Sequence, residues 1–234
     1  MVLIGGLAQP ARALDGEDKH SLAKFWLTRT WQTDEGLPDN NVTGVAQTID
    51  GYLWVATLGG MMRFDGEHFE KFSTTYLPKV PRPVVRTMYL DQRGRLWLIM
   101  DRGSVIRVGE TVARVFDAAD GLPDSRVSGV AEDNEDGIWF VCGSEVYRIR
   151  EDKVERFGAK EGLPAGGYPW LATDEQGQLW FACGSQVGIY RAGRWQTLLT
   201  VDSSPVHLAA ARSGGVWICT ATRVLKFEIG RAHV

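Results

Sequence analysis

The chain has 234 residues, with 26 basic and 29 acidic side chains and a formal net charge of -3 at pH 7. This balance argues against nucleic acid as a partner, because nucleic-acid-binding proteins concentrate basic side chains on one face. No apolar run approaches the roughly 18 residues of a membrane-spanning helix, and the composition is typical of a folded globular protein.

The first residues resemble the end of a secretory signal peptide. An apolar run at residues 2–8 precedes a small-x-small site from Ala11 to Ala13. An apolar stretch followed by such a site is typical of signal peptides, although the usual basic segment before it is missing. We therefore expect residues 1–13 to be a signal-peptide remnant and the following domain to be periplasmic.

Residues 22–33 (LAKFWLTRTWQT) predict a single strand ahead of the first Gly-Leu-Pro. This segment has the same place before Gly-Leu-Pro as the outer strands later in the chain. It is typical of an N-terminal strand that closes a propeller by pairing with the last blade.

A phrase close to Gly-x-apolar-Trp then occurs five times, with tryptophans spaced by 43, 42, 41 and 37 residues. A repeat of about 40 residues with four short strands per unit is typical of a β-propeller. The repeated tryptophans are Trp54, Trp97, Trp139, Trp180 and Trp217. We expect them to pack between neighbouring blades, since one four-stranded sheet cannot bury both of its faces alone.

The first unit shows the pattern most clearly, with turn dipeptides of Gly and Asp between short apolar strands. Its predicted strands are residues 41–48, 52–58, 61–64 and 68–73. Later units repeat this order, and Gly-Leu-Pro recurs between units at residues 36–38, 121–123 and 162–164. Residues 14–228 therefore predict an all-β, incomplete β-propeller of four-stranded antiparallel blades. It has about four full blades, a partial fifth and the closing strand.

The last six residues, IGRAHV at 229–234, form a separate segment. The codons ATC GGA AGA GCA CAC GTC of a widely used sequencing-library adapter translate to this string. We expect a non-native tail here, and further blades in the complete protein.

Cysteines and acidic turns offer the other candidates for chemistry. Cys142 and Cys183 have equivalent places on neighbouring blades, too far apart for a disulfide, and Cys219 points to the other face of its strand. All three are predicted to be buried apolar residues. The turns DNEDG (133–137) and DEQG (174–177) lack the spacing of a calcium loop and predict solvated hairpins. Neither a catalytic motif, a metal site nor a cofactor is predicted.

Topology places a candidate ligand site at the mouth of the central channel. The Gly-Leu-Pro connections and the turns between second and third strands lie on one face, which we call the rim. Asn and Arg side chains suit sugar hydroxyls or carboxylates, and Tyr and Trp suit stacking on a sugar ring. The alternative is structural: Asn40 caps a turn, and the arginines pair with Asp39 or Asp124. The candidates are Asn40, Asn41, Arg86, Asp101, Arg102, Arg126, Tyr168 and Trp170.

Residues 31–72 resemble the two-component-regulator propeller repeat, whose consensus sequence is approximately GLP-x-N-x-V, then DG-x-LW-x-GT-x-GGL-x-RFDG. The resemblance extends more loosely over about residues 22–227. It implies the periplasmic sensor domain of a histidine kinase, hybrid kinase or diguanylate cyclase. Ala56 replaces a usual Gly, and Cys142 and Cys183 stand where unit one has Thr57, so the family's ligand does not transfer.

Three functions stay open at this point. The first is a sensor that binds a small extracellular ligand, such as a carbohydrate fragment, and relays it to a missing output domain. Its other partners would be its own missing blades, a membrane reached only through a downstream segment, and a second receptor copy in a dimer. The alternatives are a secreted propeller lyase or hydrolase and a free-standing interaction propeller.

Overall fold

The structure is a computed structural model that describes residues 29–72, 84–109, 113–202, 204 and 206–229. The predicted signal-peptide remnant, most of the predicted closing strand and all of the predicted tail except Ile229 lie outside the described residues. Residues 29–33, the described end of the predicted closing strand, do not form a strand. Trp31 packs edge-on against Phe64 there, with ring centroids 5.2 Å apart.

Within the described residues, the chain forms five antiparallel sheets in sequence order, four with four strands and a last one with three. Blade 1 has β1 (Val42–Gln47), β2 (Leu53–Thr57), β3 (Gly60–Phe64) and β4 (Phe69–Lys71). Blade 2 has β5 (Val85–Leu90), β6 (Leu96–Met100), β7 (Val105–Arg107) and β8 (Arg114–Phe116). Blade 3 has β9 (Val127–Glu132), β10 (Ile138–Cys142), β11 (Glu145–Arg150) and β12 (Lys153–Phe157).

Blade 4 has β13 (Trp170–Thr173), β14 (Leu179–Cys183), β15 (Gln186–Arg191) and β16 (Arg194–Thr200). Blade 5 has β17 (His207–Ala210), β18 (Val216–Cys219) and β19 (Val224–Phe227). The first strands of neighbouring blades contact each other, as β1 with β5, β9 with β13 and β13 with β17. The all-β architecture and the incomplete set of four-stranded propeller blades are therefore confirmed.

The repeated tryptophans pack in the gaps between blades. Trp54, Trp97, Trp139 and Trp180 are buried. Each belongs to an apolar cluster that joins its own blade to the next one. Trp139, for example, packs against Tyr190 and Trp195 of blade 4, with ring centroids 4.7 and 5.6 Å apart. The packing prediction is confirmed for these four residues.

Trp217 departs from that prediction, because its residue is 41% exposed. Each of the other four tryptophans faces the following blade, and among the described residues no further sheet follows blade 5 to cover Trp217. The repeat specifies where a tryptophan lies on its strand, whereas its burial depends on a neighbouring sheet.

The acidic turns DNEDG and DEQG are exposed at Asn134, Glu135, Glu175 and Gln176, as predicted, but the first aspartate of each is buried, which corrects the prediction at Asp133 and Asp174. Asp91, Asp133 and Asp174 are buried. One carboxylate oxygen of each accepts two backbone N–H groups of its hairpin, at 2.8–3.1 Å. The other oxygen accepts the indole N–H of the tryptophan six residues later, at 2.8, 2.6 and 2.8 Å respectively. The carboxylate therefore ties the turn to the buried ring.

The Gly-Leu-Pro connections share one conformation in all three places. Leu37, Leu122 and Leu163 are buried. In the third connection, Gly162 has a positive φ of 90°, and an added Cβ would lie 2.7 Å from the carbonyl oxygen of Trp195. Glycine is therefore required by both backbone conformation and space. The connection lets the chain leave one blade and deliver a leucine into the core at the start of the next.

All three cysteines are free thiols, as predicted. Cys142 and Cys183 are buried, and burial raises the pKa of the Cys142 thiol to about 11. Burial also raises the pKa of Cys183. Cys219 is only half-buried, which corrects the prediction that all three are buried. It lies on β18 of blade 5, which lacks a described neighbour on one side.

We expect Cys219 to react with iodoacetamide well before Cys142 and Cys183 in the native chain. The thiolate is the reactive form, and burial limits both its population and the access of the reagent. Peptide mass spectrometry after timed alkylation measures the order, and alkylation in urea provides the control in which all three react. Equal native rates at Cys142 and Cys219 would contradict the packing of blade 3.

Candidate functional site

The inner strands of blades 1 to 3 carry a β-bulge at the same place. The register with the second strand slips at Thr43, Arg86 and Ser128. An extra residue in one strand re-aims its side chain, and bulges often occur beside binding sites. The Thr43 hydroxyl donates a 2.6 Å hydrogen bond to the Val85 carbonyl, whereas Arg86 approaches Asp101. The bulges thus place a different side chain, with a different partner, at the same position of each of the three blades.

Hydrogen bonds between loops hold the rim together. The backbone N–H of Leu58 donates to the Asn41 carbonyl at 3.1 Å, and that of Asp101 donates to the Val84 carbonyl at 3.0 Å. On blade 4, the Cys183 thiol donates to the Pro164 carbonyl at 3.2 Å. The connections between blades therefore contact the turns between second and third strands, as the topology predicted.

Three of the predicted site residues come together between blades 2 and 3. Arg86 and Arg126 approach the same carboxylate oxygen of Asp101, at 3.9 and 3.4 Å. Their side chains are 41% and 59% exposed, and that of Asp101 is 50% exposed. Arg102 follows Asp101 in the same turn and is exposed. This part of the rim presents guanidinium groups to solvent.

The two predicted asparagines serve the backbone, which supports the structural alternative for this pair. The side-chain oxygen of Asn40 accepts the N–H of Thr33 at 3.0 Å. The backbone and side-chain N–H groups of Asn41 both donate to one oxygen of Asp39, at 2.7 Å each. These donors stabilise the charged carboxylate and lower the pKa of Asp39.

The predicted aromatic pair lies at the start of blade 4. Tyr168 is largely exposed and Trp170 is 40% exposed. The Trp170 indole N–H donates to the Leu208 carbonyl of blade 5 at 2.9 Å. The His207 ring meets the Trp170 ring nearly at right angles, with centroids 4.6 Å apart. Trp170 is therefore an oriented ring with open surface, as a stacking platform requires.

No histidine was predicted on the rim, but His207 lies there, exposed at the start of β17. His207 precedes Trp217 by ten residues, as Trp170 precedes Trp180. Each pairs across the strands with the residue two places after the repeated tryptophan: Trp170 with Ala182, and His207 with Cys219. The fixed offset from the tryptophan could have identified this position in every blade. Its occupants are Gly44, Thr87, Gly129, Trp170 and His207.

A cavity of about 760 Å³ lies on the face opposite the rim. Hairpin turns of blades 3, 4 and 5 form it, including residues 133–135, 176–178 and 213–215. A second cavity of about 550 Å³ lies beside the connection at residues 158–166. None of the eight predicted ligand residues lines either cavity.

Two further classes of feature are missing from the part of the chain that the structure describes. No group of three or more His, Cys, Asp or Glu side chains is arranged to hold a metal ion there. No helix there is long and apolar enough to cross a membrane.

The chain matches one family model. Residues 36–59 match the family described as Two component regulator propeller. This is the family whose repeat the sequence of residues 31–72 resembles. No curated protein is significantly similar to the chain in sequence.

Several solved structures share the fold. Virginiamycin B lyase from Staphylococcus aureus has a TM-score of 0.61 and 15% identity, covering 82% of this chain and 71% of the lyase. Two structures are described as extracellular domains of hybrid two component systems from B. thetaiotaomicron, BT3049 and BT4673. The first has a TM-score of 0.55 and 19% identity, covering 67% of this chain and 23% of that domain. The second has a TM-score of 0.59 and 14% identity, covering 84% and 28%. These TM-scores show a common β-propeller fold, and at such low sequence identities the similarity extends to the fold alone.

Proposed function

We propose that this chain is the N-terminal part of an extracytoplasmic sensor propeller in a two-component or cyclic-dinucleotide signalling receptor. The observation that carries this proposal is the match of residues 36–59 to the two-component-regulator propeller family. The fold similarity to extracellular domains of hybrid two component systems supports it. The chain spans only about a quarter of those domains, so relay to a kinase or cyclase belongs to the proposal.

The open face of blade 5 supports the presence of further blades in the receptor. Trp217 lies where the other blades bury a tryptophan against the following sheet. Exposed apolar surface of this kind is usually covered in the assembled protein. A sixth blade would supply the missing neighbour, as blade 5 does for Trp180 through Phe227.

The ligand in this proposal is a small extracellular molecule, with a glycan fragment as the leading candidate. It binds at the rim, where bulges and loops converge. Trp170 offers an oriented ring for stacking, and Arg86 and Arg126 offer hydrogen-bond donors. Aromatic platforms with a few placed polar groups are typical of small-molecule sites on rigid scaffolds.

Trp170→Ala is expected to weaken glycan binding at least tenfold, because it removes the stacking surface while the blades stay folded. Calorimetric titration of the chain with a panel of neutral and acidic oligosaccharides measures the effect. Trp217→Ala is the matched control, since Trp217 is 41% exposed and Trp170 40% exposed, but Trp217 lies on the blade face. Equal loss in both variants, or no binding by the unmodified chain, would argue against a rim sensor.

A propeller lyase is the second candidate function. It is favoured by the structural coverage of 71% of virginiamycin B lyase and by the place of His207 on the channel-facing strand. One related structure is described as catalytically inactive H270A virginiamycin B lyase with quinupristin. Incubation of the chain with quinupristin, followed by mass spectrometry, tests this alternative. Turnover that His207→Asn abolishes would replace the sensor with an enzyme, whereas a free-standing interaction propeller would show neither turnover nor glycan binding.

A further inference from the structure

We propose that the rim between blades 2 and 3 binds a carboxylate, so that the ligand is an acidic sugar. This inference rests on the proposed sensor function and specifies the class of its ligand. It is carried by Arg86, Asp101 and Arg126, which meet across the boundary between the two blades.

The two arginines share one carboxylate and bind it loosely. The nitrogen-to-oxygen distances of 3.9 and 3.4 Å exceed those of a close charge-assisted hydrogen bond. Each guanidinium carries five N–H donors, and one Asp101 oxygen is the only acidic partner that either has among the described residues. Most of the donors therefore point to solvent at half-exposed positions. A second carboxylate can enter without breaking an established pair.

Several arginines elsewhere in the chain are closely paired with an acid. Arg63 approaches Glu70 at 2.6 Å, and Arg148 approaches Glu155 at 2.6 Å, in both cases from a third strand to the adjacent fourth strand. Arg107 approaches Asp152 of the following blade at 2.6 Å. These pairs connect strands and blades at close distance. The rim arginines lie in a bulge and a connection, where a loose pair adds little to stability.

The charges around the rim site favour an anion. Arg102 adds a third guanidinium beside Asp101. Asp124 adds a second carboxylate to this region. Its side chain packs against Gly103, in the same turn as Asp101, where a Cβ added to the glycine would lie 2.7 Å from the Asp124 carboxylate oxygen. This segment of the rim therefore carries three arginines, of which two approach Asp101, and two aspartates, which gives it one net positive charge. A guanidinium pair suits the planar, two-oxygen geometry of a carboxylate.

The adjacent blade points to a sugar as the carrier of that carboxylate. Trp170 begins the inner strand of blade 4, and β13 contacts β9, the inner strand that follows Arg126. Arg86 lies in the bulge of β5, and Arg126 lies in the connection that enters β9. The rim therefore carries a cationic pair on blades 2 and 3 and an aromatic ring on blade 4, which suit the acidic group and the apolar ring face of a uronic acid. A simple organic acid would use only the arginines.

The test follows the side-chain Nε–H signals of Arg86 and Arg126 by ¹⁵N NMR during titration of the chain. The probes are D-glucuronate and D-galacturonate, with D-glucose, D-galactose and uncharged D-glucuronamide as counterparts. We expect both arginine signals to shift with the two acids and to stay in place with the three uncharged sugars. A chemical-shift change of the Trp170 indole N–H during titration with the two acids would indicate that the sugar ring contacts the indole.

Three variants sharpen the result. Arg126→Gln is expected to weaken glucuronate binding about tenfold, the effect of losing a charged hydrogen bond. Asp101→Asn is expected to strengthen binding several-fold, because it removes the carboxylate that competes for both guanidinium groups. Arg63→Gln, at an exposed arginine that is closely paired with Glu70, should leave binding unchanged.

The outcomes separate this inference from the sensor proposal. If uncharged sugars shift Trp170 and the arginine signals never move, the rim sensor stands and the carboxylate site is wrong. Shifts with equal affinity in the unmodified chain and in Arg126→Gln would also overturn the carboxylate site. If no probe moves any rim signal, the carboxylate inference fails, and the oligosaccharide panel then decides the sensor proposal separately.

Discussion

Trp139→Ala is expected to lower the free energy of unfolding by about 3–5 kcal/mol, the usual cost of truncating a buried tryptophan. Trp139 is fully buried and packs against Phe157 of its own blade and against Tyr190 and Trp195 of blade 4. Its indole N–H also satisfies the buried Asp133 carboxylate at 2.6 Å. The substitution therefore opens a cavity between two blades and leaves an acceptor without its donor.

The same substitution at Trp217 is the matched control, because it removes an identical side chain from the same place in the repeat. Trp217 is 41% exposed and faces no described blade, so we expect a loss of about 1 kcal/mol. Urea denaturation followed by circular dichroism gives both values. Similar losses at Trp139 and Trp217 would mean that the tryptophans act within their own sheets. The interblade role assigned to them would then be wrong.

Strand order and blade count follow from local features of the sequence, which explains why they could be predicted. Turn dipeptides such as Asp65-Gly66 limit each strand, and the predicted strand at 52–58 contains β2 (Leu53–Thr57). Hairpins pair neighbouring segments, so the topology needs no distant information. Burial is different, because it depends on a second sheet. Trp217 and Cys219 have the local sequence of buried residues without a covering blade.

The burial of the first aspartate in each acidic turn was not predicted, because an aspartate in a hairpin usually faces water. Here the decisive partner is the indole N–H six residues later in the same hairpin. The signal was present in the sequence as an Asp-to-Trp spacing shared by blades 2, 3 and 4. Blade 1 has Thr48 at this position, whose hydroxyl accepts the Trp54 indole N–H at 2.9 Å. The spacing thus identifies a structural hydrogen bond at the base of a turn whose tip is exposed.

The rim shows where prediction from sequence ends. Topology placed the loops on one face, but the β-bulges at Thr43 and Arg86 have no recognisable sequence pattern. These bulges determine where the two side chains point. Asn40 and Asn41 were predicted as ligand residues from their place in a rim connection and their residue type, and both hydrogen bond within that connection. Contacts between loops depend on distances of a few ångströms, which residue type and spacing do not specify.

Asp174→Ala is expected to destabilise the chain by about 3 kcal/mol, although it removes only a small side chain from a surface turn. The buried carboxylate accepts three hydrogen bonds, from the backbone N–H groups of Gln176 and Gln178 and from the Trp180 indole, at 3.0, 2.9 and 2.8 Å. Alanine would leave the buried Trp180 indole N–H without an acceptor, and the two part-buried backbone N–H groups would lose theirs as well. Each unsatisfied buried donor costs about 1–3 kcal/mol, and losses in one network overlap.

Urea denaturation measures this loss, and the exchange rate of the Trp180 indole proton reports its cause. We expect slow exchange in the unmodified chain and fast exchange in Asp174→Ala, since the hydrogen bond to the carboxylate protects that proton. Asp202→Ala is the control, because Asp202 is an exposed loop acid that pairs with Arg223 at 3.1 Å, and its loss should cost less than about 0.5 kcal/mol. A small loss at Asp174 with unchanged indole exchange would show that the tryptophan anchors the turn by packing alone.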